Sequence, residues 1–185
     1  MSELREGQSV ELVVKVDADE AKRVVADALS KLPVDFVGDI EEFHRKFDLF
    51  YDGKPRLLPA ELAEFRQRFL QEEKDEYVQH SVAAELSLQD HDEAEITYQL
   101  AHMLDGLVDL VYVAIGTAHL HGFDFREAWR RVHAANMAKV RAQHAEDSKR
   151  GTTLDVVKPE GWLPPRHEDL VEDHAHQLLA KTAGE

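Results

Sequence analysis

Two acidic runs have the spacing that chemistry needs. In QEEKDEY, Glu72, Glu73 and Glu76 stand at i, i+3 and i+4 offsets. On a helix these are surface neighbours, about 5–6 Å apart at Cβ. Like charges that close repel, so a fold that keeps them either wets them or supplies a cation. In MLDGLVDLVYVAIG, Asp105 and Asp109 are four apart among Leu104, Leu107, Val108, Leu110, Val111 and Val113, and 101–121 holds no Lys or Arg. An ionised carboxylate among apolar groups is costly unless it is paired or metal-bound. Bundles build metal sites from inward-facing carboxylates on facing helices. Glu73, Glu76, Asp105 and Asp109 offer only oxygen, which suits Mg²⁺, with Mn²⁺ as substitute, over zinc. Several acids around two such ions favour displacement at phosphorus. The bland alternative for each run is a solvated acidic helix face.

A basic segment follows, RRVHAANMAKV and then GTTLDVVKPEGWLPPR. On a helix, Asn136 and Lys139 (i, i+3) share a face. Lys158 and Arg166 lie in a Pro/Gly loop with Trp162, where a ring can cover a base and cations can meet phosphates. The Asn136 amide suits a nucleobase edge or a sugar hydroxyl. Trp162 equally suits a plain anchor that ties the loop to the bundle.

Charge follows the same division. The 185 residues carry a net −15, with 13 acids and 3 bases in 61–121 but 6 acids and 9 bases in 122–166. A protein that holds a divalent cation and its phosphates needs both signs nearby, whereas long nucleic acid and anionic membranes want a net positive surface. Without Cys, thiolate ligands and cysteine nucleophiles are excluded. The eleven histidines raise a di-iron alternative, which wants two Glu-x-x-His units. Only one occurs, Glu41 to His44, and most histidines are expected at the surface. MSELREGQSV has no basic-then-apolar leader, which predicts a cytoplasmic chain. The longest run free of charged residues, Leu110 to Phe123, has 14 residues. That is short of the about 20 that span a bilayer.

The elements that must position these groups are mostly helices. Val10, Leu12, Val14 and Val16 alternate as in a strand, and a helix is expected from Asp19 to Leu32. Asp39 is expected to cap a helix to about Phe50, and Pro59 to open one to about His80, with a break at SLQDHD. Asp92 with Glu95, and Asp124 with Glu127, resemble capping boxes. They open helices to about His121, ended by Gly122, and to about Gln143. A short terminal helix is expected near 168–181. The organisation reads as an N-terminal extension (1–38), a helical catalytic domain (39–166) and a C-terminal helix or tail (167–185). The fold class is all-α, a four- to five-helix bundle with a short strand and helix ahead of it.

Together, EExxE on one helix, Asp105-Gly-Leu-Val-Asp109 on the next, His133-x-x-Asn136-Met137-x-Lys139, and Lys158-Pro-x-Gly161-Trp162-x-Pro-Pro resemble the all-α nucleoside triphosphate pyrophosphohydrolases. That superfamily includes the MazG-like proteins, phosphoribosyl-ATP pyrophosphohydrolases and dimeric dUTPases. The resemblance covers about 39–166. It implies a homodimer or homotetramer with Mg²⁺ held by acids from two helices, and hydrolysis of an NTP or dNTP to the monophosphate and pyrophosphate as nucleotide-pool house-cleaning. Glu73, Glu76 and Asp109 match ligand positions, Glu72 matches an acid that orients or deprotonates water, and Asn136 and Lys139 match the nucleotide-contacting helix. The common MazG pattern has Glu three residues before the Asp. Here that position is Gly106, and Asp105 is the expected substitute. The rival reading is a non-catalytic helical oligomer that binds a nucleotide or a protein.

Overall fold

The computed structural model describes residues 17–30 and 33–172. The chain divides into two compact units, Met1–Asp35 and Phe36–Glu185. In the first, α1 runs Ala18–Ser30. The Asp17 carboxylate accepts from the Asp19 and Glu20 amides and caps it. The expected strand at 9–16 lies outside the described residues, as does any helix over 173–185.

The second unit is helical. It holds α2 (Phe36–Lys46), α3 (Ala60–Asp90), α4 (Glu93–His121) and α5 (Phe125–Met137). A two-strand antiparallel ladder joins β1 (Val140–Arg141) to β2 (Val156–Val157), with Val140 opposite Val157. The all-α expectation holds, with this small ladder added. α3 and α4 form a long antiparallel hairpin, and α2 packs on α4 through Ile40 and His44, which are 1% and 2% exposed.

Four ends lie where the sequence marks them. Pro59 precedes α3, and the Asp92 carboxylate accepts from the Glu95 amide at 3.0 Å to open α4. Asp124 does the same for α5 through the Glu127 amide at 2.9 Å. Gly122 ends α4 at φ +72°, with Phe123 N–H reaching back to Ala118 O. A Cβ there would lie 2.8 Å from Gly53 O, so only glycine fits both the left-handed turn and the loop laid against it.

Four ends differ from the sequence expectation. α2 starts at Phe36, so Asp39 lies inside its first turn instead of capping it. It stops at Lys46 because Asp48 turns left-handed (φ 57°) while Leu49 N–H bonds His44 O. α3 continues through Ser87-Leu-Gln-Asp and stops only where His91 takes φ 59°. No Gly or Pro interrupts 60–90, so the polar run SLQD is absorbed into the helix. α5 ends at Met137 rather than Gln143, because Val140 and Arg141 are claimed by the ladder. Near 168 there is one 3₁₀ turn, Glu168–Leu170.

The α3–α4 seam has a period of seven. Arg66, Glu73 and Ser87 on α3, and Gln99, Gly106, Val113 and Leu120 on α4, are buried at multiples of seven, and Ile115 and Gly116 are buried beside them. That period is the signature of helices wrapped around each other. Glycine at 106 allows the closest approach: a Cβ there would sit 3.2 Å from Tyr77 N and 3.5 Å from Glu73 O. α4 as a whole also has the length and hydropathy of a membrane-crossing helix, with 22% of its apolar window buried.

Candidate active site

The seam places the two acidic runs against each other. Gly106 contacts the α3 backbone at Glu73 and Tyr77, so the residues that flank it on α4, Asp105 and Asp109, face the turn that carries Glu73 and Glu76. A Cβ at 106 would press on the α3 backbone at Tyr77 N, so any larger residue there needs the helices to part by a few tenths of an ångström.

Electrostatics show that the acids form one array. Glu73 is 7% exposed. Burial first, then the charges of Asp109, Glu76, Glu72 and Asp105, push its carboxyl above the usual range. Asp109 is raised by burial, then by Asp105 and Glu76. Among the described residues none of the five makes an ion pair with Lys or Arg; nearby Lys74 lies by Asp75 and Arg68 by Glu64. Oxygen donors gathered from two helices without a counter-cation fit a hard divalent cation. Beside Glu72, a shallow opening of about 400 Å³ is lined by Phe65, Arg68 and Phe69. The Phe65 ring is 48% exposed there.

Most polar groups at the other end of the hairpin are bonded internally, while the buried Nδ1 of His44 has no hydrogen-bond partner. Arg66 is buried, and its guanidinium donates to Val113 O at 2.8 Å and Thr117 Oγ1 at 3.0 Å. His44 packs edge-on against His119, 4.8 Å between ring centres. Burial, then His119 and Arg66, lower its pKa to about 4. His119 Nε2 accepts from Tyr51 N–H, and His121 bonds Arg56 O. His80 and His102 stack on each other beside Glu76. The expectation that most histidines lie at the surface is therefore corrected: these five are packed between helices or against a loop. The signal was spacing, since His80 follows Glu76 by four and His102 precedes Asp105 by three.

The basic segment is largely occupied with itself. Arg131 pairs with Glu127 and with both oxygens of Asp169, at 2.6 and 2.7 Å, tying the chain after β2 to α5. Arg150 and Ser148 hold Asp155, whose carboxyl is thereby kept low. Trp162 donates its indole N–H to Ala135 O at 2.7 Å, so it is an anchor. It is also a cation platform: Lys158 Nζ lies 4.5 Å and Lys139 Nζ 5.8 Å from its ring. Because α5 ends early, Asn136 and Lys139 do not share a helical face. Asn136 is exposed in the last turn and Lys139 N–H bonds its carbonyl. Arg166 turns toward Glu168, 3.6 Å away.

Comparison with known families bears on the same stretch. The model of the family described as phosphoribosyl-ATP pyrophosphohydrolase matches residues 40–136, just over half of the chain, and that stretch contains all five acids. No curated protein matches the chain significantly.

Proposed function

The chain belongs to the phosphoribosyl-ATP pyrophosphohydrolase family, within the MazG-like superfamily of pyrophosphohydrolases, and from that premise we propose that it is a Mg²⁺-dependent hydrolase that cleaves a (d)NTP with water to the (d)NMP and pyrophosphate. The observation that carries this reading is the array of five carboxylates without a counter-cation, on two helices inside the matched stretch. A bound divalent cation would neutralise the triphosphate and polarise the phosphorus under attack.

The residues divide the remaining work. Glu73, Glu76, Asp105 and Asp109 would hold the cation. Glu72, at the edge of the array, would accept the proton of the attacking water. Phe65 and Phe69 offer a stacking wall for the base beside it. Lys139 and Lys158, gathered on Trp162, would neutralise the departing pyrophosphate. Asn136 and Arg166 are exposed enough to reach a nucleotide.

α5 and the ladder belong to a different part of the bundle from the acids, which supports assembly of the site between copies. Leu100, Leu104, Leu107, Val108 and Val111 form an apolar stripe on α4, each 43–64% exposed. A second copy over this stripe would bury it and bring a basic segment toward the array. We infer a homodimer or homotetramer, cytoplasmic and acting in nucleotide-pool house-cleaning.

The test is pyrophosphate release from a panel of NTPs, dNTPs and phosphoribosyl-ATP with Mg²⁺, for wild type, Glu73→Ala and Asp109→Ala. Turnover of one nucleotide that both substitutions abolish supports the reading. No turnover anywhere, or full activity in both variants, sinks it. Light scattering checks the assembly, and a stable monomer would remove the shared site.

A further inference from the structure

His80 and His102 extend the carboxylate seam by one helical turn. His80 stands four residues after Glu76 on α3, and His102 three before Asp105 on α4. The antiparallel pairing stacks their rings, 4.8 Å between centres and 19° between planes. One ligand atom from each of Glu76, His80 and His102 lies within 4.8 Å of the others. Ligands bound at ~2.0–2.1 Å to one ion sit roughly 3–4 Å apart, so modest side-chain rotation closes the set.

Hydrogen bonding decides the state of His80. Gln99 is 7% exposed, and its amide nitrogen donates to Glu95 Oε1 at 2.6 Å. A carboxylate only accepts, so the amide oxygen is the atom that faces His80 Nδ1 at 2.5 Å. Nδ1 therefore donates, which leaves Nε2 as the nitrogen available to a metal ion in the neutral ring. An imidazole N–H on a buried acceptor, itself tied to a carboxylate, is the outer support that metal-binding histidines use. Tyr98 packs edge-on against His102 at 4.3 Å and steadies the second ring.

We propose that Glu76, His80 and His102 form a second divalent-cation site that takes a transition metal such as Zn²⁺, Mn²⁺ or Co²⁺ in preference to Mg²⁺. Two imidazole nitrogens with one carboxylate make a donor set that first-row transition ions favour and Mg²⁺ does not. The Glu76 carboxylate also borders the oxygen-donor array, so it is placed to serve both ions. Only that sharing rests on the hydrolase reading; the site itself does not.

The test is a Co²⁺ titration of the full chain in excess Mg²⁺, followed by visible ligand-field absorption and by metal content after dialysis. Wild type should retain Co²⁺. His80→Ala and His102→Ala should each weaken retention at least about tenfold, and Gln99→Leu by about 10–100-fold. Asp109→Asn should leave it in place. A readout free of folding artefacts uses ¹⁵N-histidine wild type, where Zn²⁺ should shift two imidazole signals. No Co²⁺ retained against Mg²⁺, affinity unchanged in both histidine variants, or no ¹⁵N shift would each overturn the site. Pyrophosphate release by a protein that binds no Co²⁺ overturns this inference alone. Co²⁺ binding without turnover overturns the hydrolase reading alone.

Discussion

The α3–α4 hairpin buries polar groups at two places and treats them in opposite ways. Around Arg66, His44, His119 and His121, donors meet backbone carbonyls and Thr117, and His44 stays neutral. Around Glu73 and Asp109, like charges crowd together with no internal cation, and both carboxyls are pushed up. A largely satisfied network, with only the buried His44 Nδ1 among these groups left unbonded, holds the scaffold in shape. An unsatisfied one stores repulsion that a ligand must relieve. Glu73 and Arg66 are both buried on α3, at 7% and 8% exposed, so for these two the difference lies in their partners.

The largest expected effect comes from removing an acid. Glu73→Ala and Asp109→Ala should lower turnover by at least about 100-fold, the scale on which one preorganised electrostatic group acts. The metal-free fold should meanwhile gain stability from Glu73→Gln at pH 7. The sign follows from the raised carboxyl: its stabilising contribution is present below the unfolded-state pKa and is lost as pH rises through the folded value. The gain in melting temperature should shrink on acidification or on adding Mg²⁺. A variant that is both inactive and less stable at pH 7 would break the contrast.

Arg66→Met should do the reverse. It removes two bonds from a buried charged donor, each worth about 1.5–3 kcal/mol, and should lower stability by several kcal/mol in urea while leaving turnover per folded molecule within about threefold. Loss of turnover matching that of Asp109→Ala would mean that the two places are one site.

His44 tests the network through pH. Its folded pKa of about 4 lies below the ordinary histidine value of 6.5, so its contribution is present above about 6.5 and fades as pH falls towards 4. The full shift corresponds to at most about 3 kcal/mol. Imidazole NMR should show a ring that stays neutral down to about pH 4, and a midpoint near 6.5 would show that it is solvated.

The smallest effect is expected at Gly106→Ala. Helix propensity gains about 1 kcal/mol, yet the new Cβ meets α3 backbone at 3.2 Å, and overpacking costs about 1–3 kcal/mol. The backbone of a 31-residue helix cannot step aside locally, so melting should fall by a few degrees. A rise would show that the helices approach less closely than this.

Much of the scaffold was legible along the chain. Asp92, Asp124, Gly122 and Pro59 mark helix ends because capping is local chemistry, and the bonds that they make depend on residues three or four away. The ends of α2, α3 and α5 were less legible. His91 and Asp48 enter left-handed turns that no glycine announces, and Val140 is drawn into a ladder with Val157, seventeen residues on. The acids were readable as two runs with helical spacing. Their coupling was not, because it depends on how one helix faces another.

The sequence by itself determined the helical elements, the two acidic runs and the oxygen-only character of their donors, since these follow from residue type and from periods within a few positions. Tertiary structure alone decided that Gly106 brings the runs together and that Arg66, His119 and His121 bond to groups on other segments. It likewise decided that Lys139 and Lys158 gather on Trp162 while the neighbouring arginines are spent on Glu127, Asp155 and Asp169. Burial, charge coupling and hydrogen-bond partnership arise between segments far apart in the chain, and only packing brings those segments within range.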